Sequence, residues 1–291
     1  MDLSICLPLY QQKPFETVKS LIKQAEELKV NYEVLIIDDA SKPTLSATNA
    51  QYFSNFPTVR YIILEHNIGR AKIRNRLAAE AQGDYRLCLD GDTLIDHNDF
   101  IKLYWDKRES AMVIIGGLKL APLIPRCELR WFYANKREAI NCEERQLKPY
   151  SSFMTGNFFC KGSLFETLQF DENIKGYGHE DTLFGFGLEK LKISILHLNN
   201  PILFAADDRN SDFLIKSKEA LENLKTLSKT FPALEQKIGI LKLGLKMQRY
   251  NLGVLFIWAY YPLRKMIYKN LLSSKPSLFF FDLYRLNYLL T

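Results

Sequence analysis

No CxxC pair occurs in the chain, and its five cysteines, Cys6, Cys88, Cys127, Cys142 and Cys160, are odd in number. That usage fits reduced thiols in a cytosolic protein, not a disulfide framework or a cysteine-built zinc site. No apolar run reaches the ~20 residues of a membrane-spanning helix. Met1-Asp2-Leu3-Ser4 lacks a basic segment and passes straight into an extended apolar run, so no secretory leader is expected. No GxGxxG follows that run, which argues against a dinucleotide-dependent dehydrogenase. Internal repeats, low-complexity stretches and Gly/Ser linkers are missing too.

What is present is a 291-residue chain, 47% hydrophobic, enough for one large α/β domain with an appendage. Residues 3–8, 33–37, 59–64 and 85–89 read as strands. Between the first two, Phe15, Val18, Leu21, Ile22, Ala25 and Leu28 recur at helical spacing, with Pro14 suited to a first helical position. Ile73, Leu77, Ala78 and Ala81 mark another helix, which Gly83 ends. Such alternation predicts a Rossmann-like, mostly parallel central sheet flanked by helices. In such sheets ligands bind outside the carboxyl ends of the strands. Further on, 112–115, 155–160 and 193–198 read as strands, while 126–145 in part, 165–168, 182–191 and 213–236 read as helices. The expected division is a nucleotide-binding, catalytic domain over 1–212 and a helical, basic-aromatic segment over 213–291.

Three acidic clusters follow one another. Asp38-Asp39-Ala40-Ser41 ends a strand, where carboxylates can accept hydrogen bonds from an imide N–H and ribose hydroxyls. An Asx turn or a helix N-cap uses the same residues. Asp90-Gly91-Asp92 also ends a strand, and its two carboxylates point to opposite sides of an extended turn. One can take a ribose hydroxyl while the other binds Mg²⁺ or Mn²⁺, which prefer oxygen ligands. An exposed β-turn is the bland alternative. Gly178-His179-Glu180-Asp181 opens a helix, whose N-terminus favours an ionised carboxylate and allows one cap and one base. Arg70, Lys72, Arg74 and Arg76 crowd a helix start, and Arg74 is singled out as a bridge to a diphosphate.

In this order, Pro8-Leu9-Tyr10, Asp38-Asp39-Ala40-Ser41, Asn67-x-Gly69 with Arg74-Asn75, Asp90-Gly91-Asp92, Gly156-Asn157 and Gly178-His179-Glu180-Asp181 resemble the bacterial family-two glycosyltransferases of the GT-A fold. The resemblance covers roughly residues 3 to 215. It implies a nucleotide-sugar donor, most often a UDP-sugar, and an inverting single displacement assisted by Mn²⁺ or Mg²⁺. Carried over, Pro8 and Tyr10 line the nucleotide pocket, and Asp38 and Asp39 read base and ribose. Arg74 contacts the nucleotide or diphosphate, Asp90 the ribose or donor sugar, and Asp92 the metal. Gly156 and Asn157 border the sugar, Asp181 is the base, and Glu180 orients the acceptor. Such enzymes often carry a further metal-binding His. Here His197 is the only His beyond Asp181, so the resemblance leaves either His197 or Asp92 with phosphates alone.

The implied acceptor is a surface glycan, lipid-linked and met on the cytoplasmic side of a membrane; no nucleic-acid partner is expected. A nucleotide-sugar-forming nucleotidyltransferase is the rival enzyme. It would want a Gly-rich loop after the first strand, and Leu9-Tyr10-Gln11-Gln12-Lys13 has no Gly. A non-catalytic glycan-binding subunit is the third reading, opposed by the retention of all three clusters.

Net charge is +6, and it is concentrated: residues 242–291 carry eight Lys or Arg against Asp282 alone. Leu263, Met266, Ile267 and Leu271 form an apolar stripe there, with Arg264, Lys265, Tyr268 and Lys269 mostly opposite. Aromatic runs flank it at 254–261 and 278–281. Two expectations follow: docking on an anionic membrane surface, or packing of the stripe inside the protein.

Overall fold

Runs of branched apolar residues make the centre of the sheet. In a computed structural model that describes residues 1–174 and 176–291, Leu3–Leu9 (β1) and Tyr32–Asp38 (β2) pair in parallel, and nearly every side chain of both is buried. Burial on both faces needs helices above and below, which the connections supply.

The chain divides into two units. The first comprises residues 1–119, 139–174 and 180–205. Its remaining strands are Val59–Ile63 (β3), Tyr85–Leu89 (β4), Val113–Ile115 (β5), Leu118–Leu120 (β6), Asn157–Lys161 (β7), Ile195–His197 (β8) and Ile202–Phe204 (β9). Its helices are Phe15–Leu28 (α1), Pro43–Phe53 (α2), Arg70–Glu80 (α3), Phe100–Lys107 (α4), Cys142–Leu147 (α6), Leu164–Thr167 (α7) and Glu180–Lys190 (α8). The main sheet has seven strands in the order β3-β2-β1-β4-β7-β5-β8, and β6 with β9 forms a separate two-stranded ribbon. In the main sheet only β7 runs against its neighbours, pairing antiparallel with β4 and β5.

The order reverses at β1: β2 and β3 build outward on one side and β4 on the other. Loops leaving β1 and β4 therefore part in opposite directions and open a crevice at their carboxyl ends. The acidic ends of β2 and β4 border it.

The expected strands are present, with ends shifted by a residue or two. Pro14 sits one place earlier than expected, at the N-cap of α1. The helices α2 and α4 were not read from the sequence. Only Ser46, Asn49 and Phe53 of α2 are buried, so it carries almost no apolar period. All five cysteines are free thiols. Cys6 and Cys88 face each other across β1 and β4, and both thiols are pushed well up, Cys6 chiefly by its hydrogen bond to Cys88 and then by burial.

The second unit comprises residues 120–138, 176–179 and 206–291. It is helical: Glu128–Arg137 (α5), Asn210–Thr230 (α9), Leu234–Lys237 (α10), Gly239–Arg249 (α11), Leu252–Leu271 (α12) and Leu278–Leu290 (α13). Its core gathers Leu129, Phe213, Leu214, Ile267, Leu271 and Phe281, with Tyr133 and Tyr260 against them. The expected boundary at 212/213 falls inside α9, and residues 120–138 belong with the appendage. Tertiary pairing, not local pattern, joins them: the Leu129 amide donates to Asn210 Oδ1 at 2.8 Å, and Arg137 pairs with Asp282 at 2.6 Å.

Candidate active site

The first acidic cluster faces inward. Asp38 is fully buried. Its Oδ1 accepts from the Ser41 amide at 2.8 Å, and its Oδ2 accepts from the Ser46 hydroxyl at 2.9 Å and from the Tyr61 hydroxyl. Burial first, then Asp38, raises the Tyr61 phenol so far that it stays a donor. Asp39 reaches across to the loop before α3, accepting from the Ile68 amide at 2.7 Å and the Gly69 amide at 3.1 Å. Asp38 thus braces the strand end through these three donors. Asp39 fixes the entry to α3 and, through it, Arg70 and Arg74. Pro8 is half-buried, and Tyr10 stands exposed beyond the end of β1.

Asp90 lies at the middle of the crevice. Arg74 donates to its Oδ1 at 2.6 Å, and Arg70 comes within 3.7 Å of its Oδ2. Burial would raise this carboxyl, but Arg74 and Arg70 outweigh it and hold Asp90 below the usual range. Gly156 lies against it: a Cβ there would sit 3.0 Å from Asp90 Oδ2. The same two arginines hold Glu180, at 2.9 Å from Arg70 Nε and 3.7 Å from Arg74 Nη1. Arg74 is buried between the two acids, whereas Arg70 is 41% exposed and better able to turn toward a ligand. Arg74, the residue singled out from the sequence, positions Asp90 and Glu180, and Arg70 is a second cation shared by both. Spacing on α3 was the available signal, since residues four apart share a helix face.

Asp181 follows directly on α8. Its Oδ1 accepts from the Thr182 amide at 2.6 Å and the Thr182 hydroxyl at 3.3 Å. Burial and then the Glu180 charge raise its pKa to about 6, with Thr182 and Arg74 opposing. Adjacent carboxylates in different surroundings, one held by arginines and one lifted, suit separate roles. The turn before α8 has unusual backbone: Gly178 has φ +97° and His179 φ +71°.

Two expected site residues are turned to structural work. His197 is buried, with Nδ1 taking a hydrogen bond from Arg145 at 3.0 Å and Nε2 donating to the Pro149 carbonyl at 3.1 Å. Burial lowers its pKa to about 4. Both ring nitrogens are engaged inside the protein. Asn157 is fully buried as well. It accepts from Tyr104 at 2.6 Å and donates to the carbonyls of Gly117 and Asn200 at 2.7 and 3.0 Å, bonds that brace the floor.

For a metal, the fitting group is Asp92, an exposed carboxylate two residues beyond Asp90. Among the described residues no set of three or more His, Cys, Asp or Glu forms a cation cage. A hard cation held by one or two carboxylates with phosphate oxygens and water needs no such cage.

Residues 4–122 match the model of the family described as Glycosyl transferase family 2. A dolichyl-phosphate beta-glucosyltransferase of Dictyostelium discoideum is 30% identical over 107 residues, which is 34% of this chain and 33% of that protein. A structure of S. aureus TarS in complex with UDP-GlcNAc aligns with 77% of this chain and 66% of its own, at 18% identity and TM-score 0.51. The mannosyltransferase PcManGT of Pyrobaculum calidifontis, in complex with GDP-Man and Mn²⁺, aligns with 78% of this chain and 64% of its own, at 15% identity and TM-score 0.56. The chain thus spans about a third of the length of the curated relative and about two-thirds of these solved chains. The family resemblance read from the sequence is borne out over residues 4–122, and the α/β fold with its mostly parallel sheet is that of GT-A glycosyltransferases.

Proposed function

We propose that this chain transfers a sugar, with inversion, from a nucleotide sugar to a hydroxyl of a glycan or lipid-linked acceptor, assisted by Mn²⁺ or Mg²⁺. One observation carries the reading: a carboxylate poised near pH 6, Asp181, adjoins Glu180, which shares Arg70 and Arg74 with Asp90 at the switch point of the sheet. Base, cations and carboxylates at one crevice suit displacement of a diphosphate. The family match supports a nucleotide-sugar donor, as do the UDP-GlcNAc and GDP-Man of the structural neighbours. The dolichyl-phosphate in the relative's name supports a lipid-linked acceptor, and a surface glycan assembled at the cytoplasmic face of a membrane would supply one.

In the reaction, the acceptor hydroxyl gives its proton to Asp181 as its oxygen bonds to the anomeric carbon. The bond from that carbon to the diphosphate oxygen breaks, and its electron pair leaves with the nucleoside diphosphate. Arg70 can turn toward the growing negative charge, and Glu180 can orient the acceptor. Asp92 would hold a divalent ion, which when bound would neutralise charge on the leaving group. Pro8, Tyr10 and Asp39 border the nucleotide, and Asp90 with Gly156 borders ribose or sugar.

The test is a panel of nucleotide sugars assayed for nucleoside-diphosphate release with Mn²⁺ or Mg²⁺. The expected result is release from one donor, stopped by chelator and by Asp92→Asn. Binding of a nucleotide sugar without any turnover would favour the non-catalytic subunit instead.

A further inference from the structure

We infer that the outward face of α12 is a docking surface for an anionic lipid bilayer. The inference rests on the second unit alone and does not depend on the transferase reading. α12 buries Gly253, Ile267 and Leu271, and the last two join Phe213 and Phe281 in the core. With about 3.6 residues per turn, the opposite face carries Val254, Leu255, Trp258 and Tyr261, then Lys265 and Lys269. Its apolar members are among the most exposed in the chain: Val254 77%, Leu255 62%, Trp258 78% and Tyr261 60%. Single exposed apolar residues are ordinary, but a contiguous stripe two turns long, with an indole at its centre, marks an interaction surface.

The charge says which surface. Lys265 and Lys269 continue the same face as cations, and Arg264 lays its guanidinium 3.7 Å from the Tyr261 ring centroid, beside the stripe. Eight Lys or Arg occupy residues 242–291, and the one acid there, Asp282, pairs with Arg137. A second copy of this chain would bring like charges together. An anionic bilayer instead offers hydrocarbon to Val254 and Leu255, an interfacial layer to Trp258 and Tyr261, and headgroup anions to the lysines. Among the described residues no helix is long and apolar enough to cross a membrane, so the helix would lie in the surface plane.

The test is co-flotation of the full chain with phosphatidylcholine vesicles, with and without phosphatidylglycerol. Binding is expected only to the anionic vesicles and is expected to fall with added salt. Leu255→Ser with Trp258→Ser should abolish it. Lys265→Gln and Lys269→Gln should each weaken it roughly fivefold. All four side chains are exposed, so the melting temperature of each variant should match the native chain. Equal binding to neutral vesicles, or no binding to either kind, overturns the proposal. So does a concentration-dependent dimer in sedimentation that the Leu255→Ser, Trp258→Ser chain no longer forms.

Discussion

Asp38 and Asp39 are adjacent, yet one is sealed by Ser41, Ser46 and Tyr61 while the other ties down Ile68 and Gly69. The Ser41 contact is the local Asx turn, but Tyr61, Ile68 and Gly69 come from 23 to 30 positions away, and local spacing does not encode them. The division between Glu180 and Asp181 likewise depends on two arginines that only the fold brings near. From it follows a pH profile. Asp181, lifted to about 6, should give turnover an acid limb near that pH, as the base becomes protonated below it. Glu180→Gln removes a charge that raises Asp181 and should move the limb to lower pH; an unmoved limb would assign it to another group. Stability has the opposite sign. A carboxyl whose folded pKa is raised favours the native state when protonated, and that contribution is lost as pH rises from about 4 through 6. Asp181→Asn should therefore melt higher than the native chain at pH 7 and equally with it below pH ~4. A melting temperature lower at pH 7 would contradict the raised pKa of Asp181.

At the scale of elements, strands with buried branched runs and the strongly periodic α1 could be read from sequence. Weakly periodic α2 and short α4 could not. The stripe expected at 263–271 divided: Ile267 and Leu271 went inward, while Leu263 and Met266 stayed exposed. The packing expected of the stripe thus holds for Ile267 and Leu271, and the exposed residues are left to the vesicle experiment. The buried polar floor was not legible either, because Asn157 bonds to residues up to 53 positions away. Asn157→Ala removes the side-chain acceptor of the buried Tyr104 hydroxyl and the side-chain donor to the Asn200 carbonyl, each lost bond costing about 1–3 kcal/mol, while the Gly117 carbonyl keeps the Ile202 amide. A lower melting temperature is expected; an unchanged one would show that the floor is not braced there. Arg74→Met takes from Asp90 and Glu180 the buried one of their two shared cations, leaving Arg70, and should lower stability by at most roughly 3–5 kcal/mol, read by urea denaturation at pH 7.

For the whole molecule, the sequence suggests a catalytic domain over 1–212 followed by a basic helical segment, but not that residues 120–138 belong with that segment. A chain ending at residue 212, the boundary that periodicity suggests, would strip Leu129 and Tyr133 of Phe213, Leu214 and Phe281. It should aggregate, and a monodisperse, soluble product on size-exclusion chromatography would refute this partition. The central claim is that sugar transfer uses Asp181 as its base. With the donor found in the nucleotide-sugar panel, single-turnover release of nucleoside diphosphate to acceptor should fall by roughly 10²–10⁴ in Asp181→Asn, while calorimetric donor affinity stays within a few-fold. Full release by Asp181→Asn, at unchanged donor affinity, would contradict it.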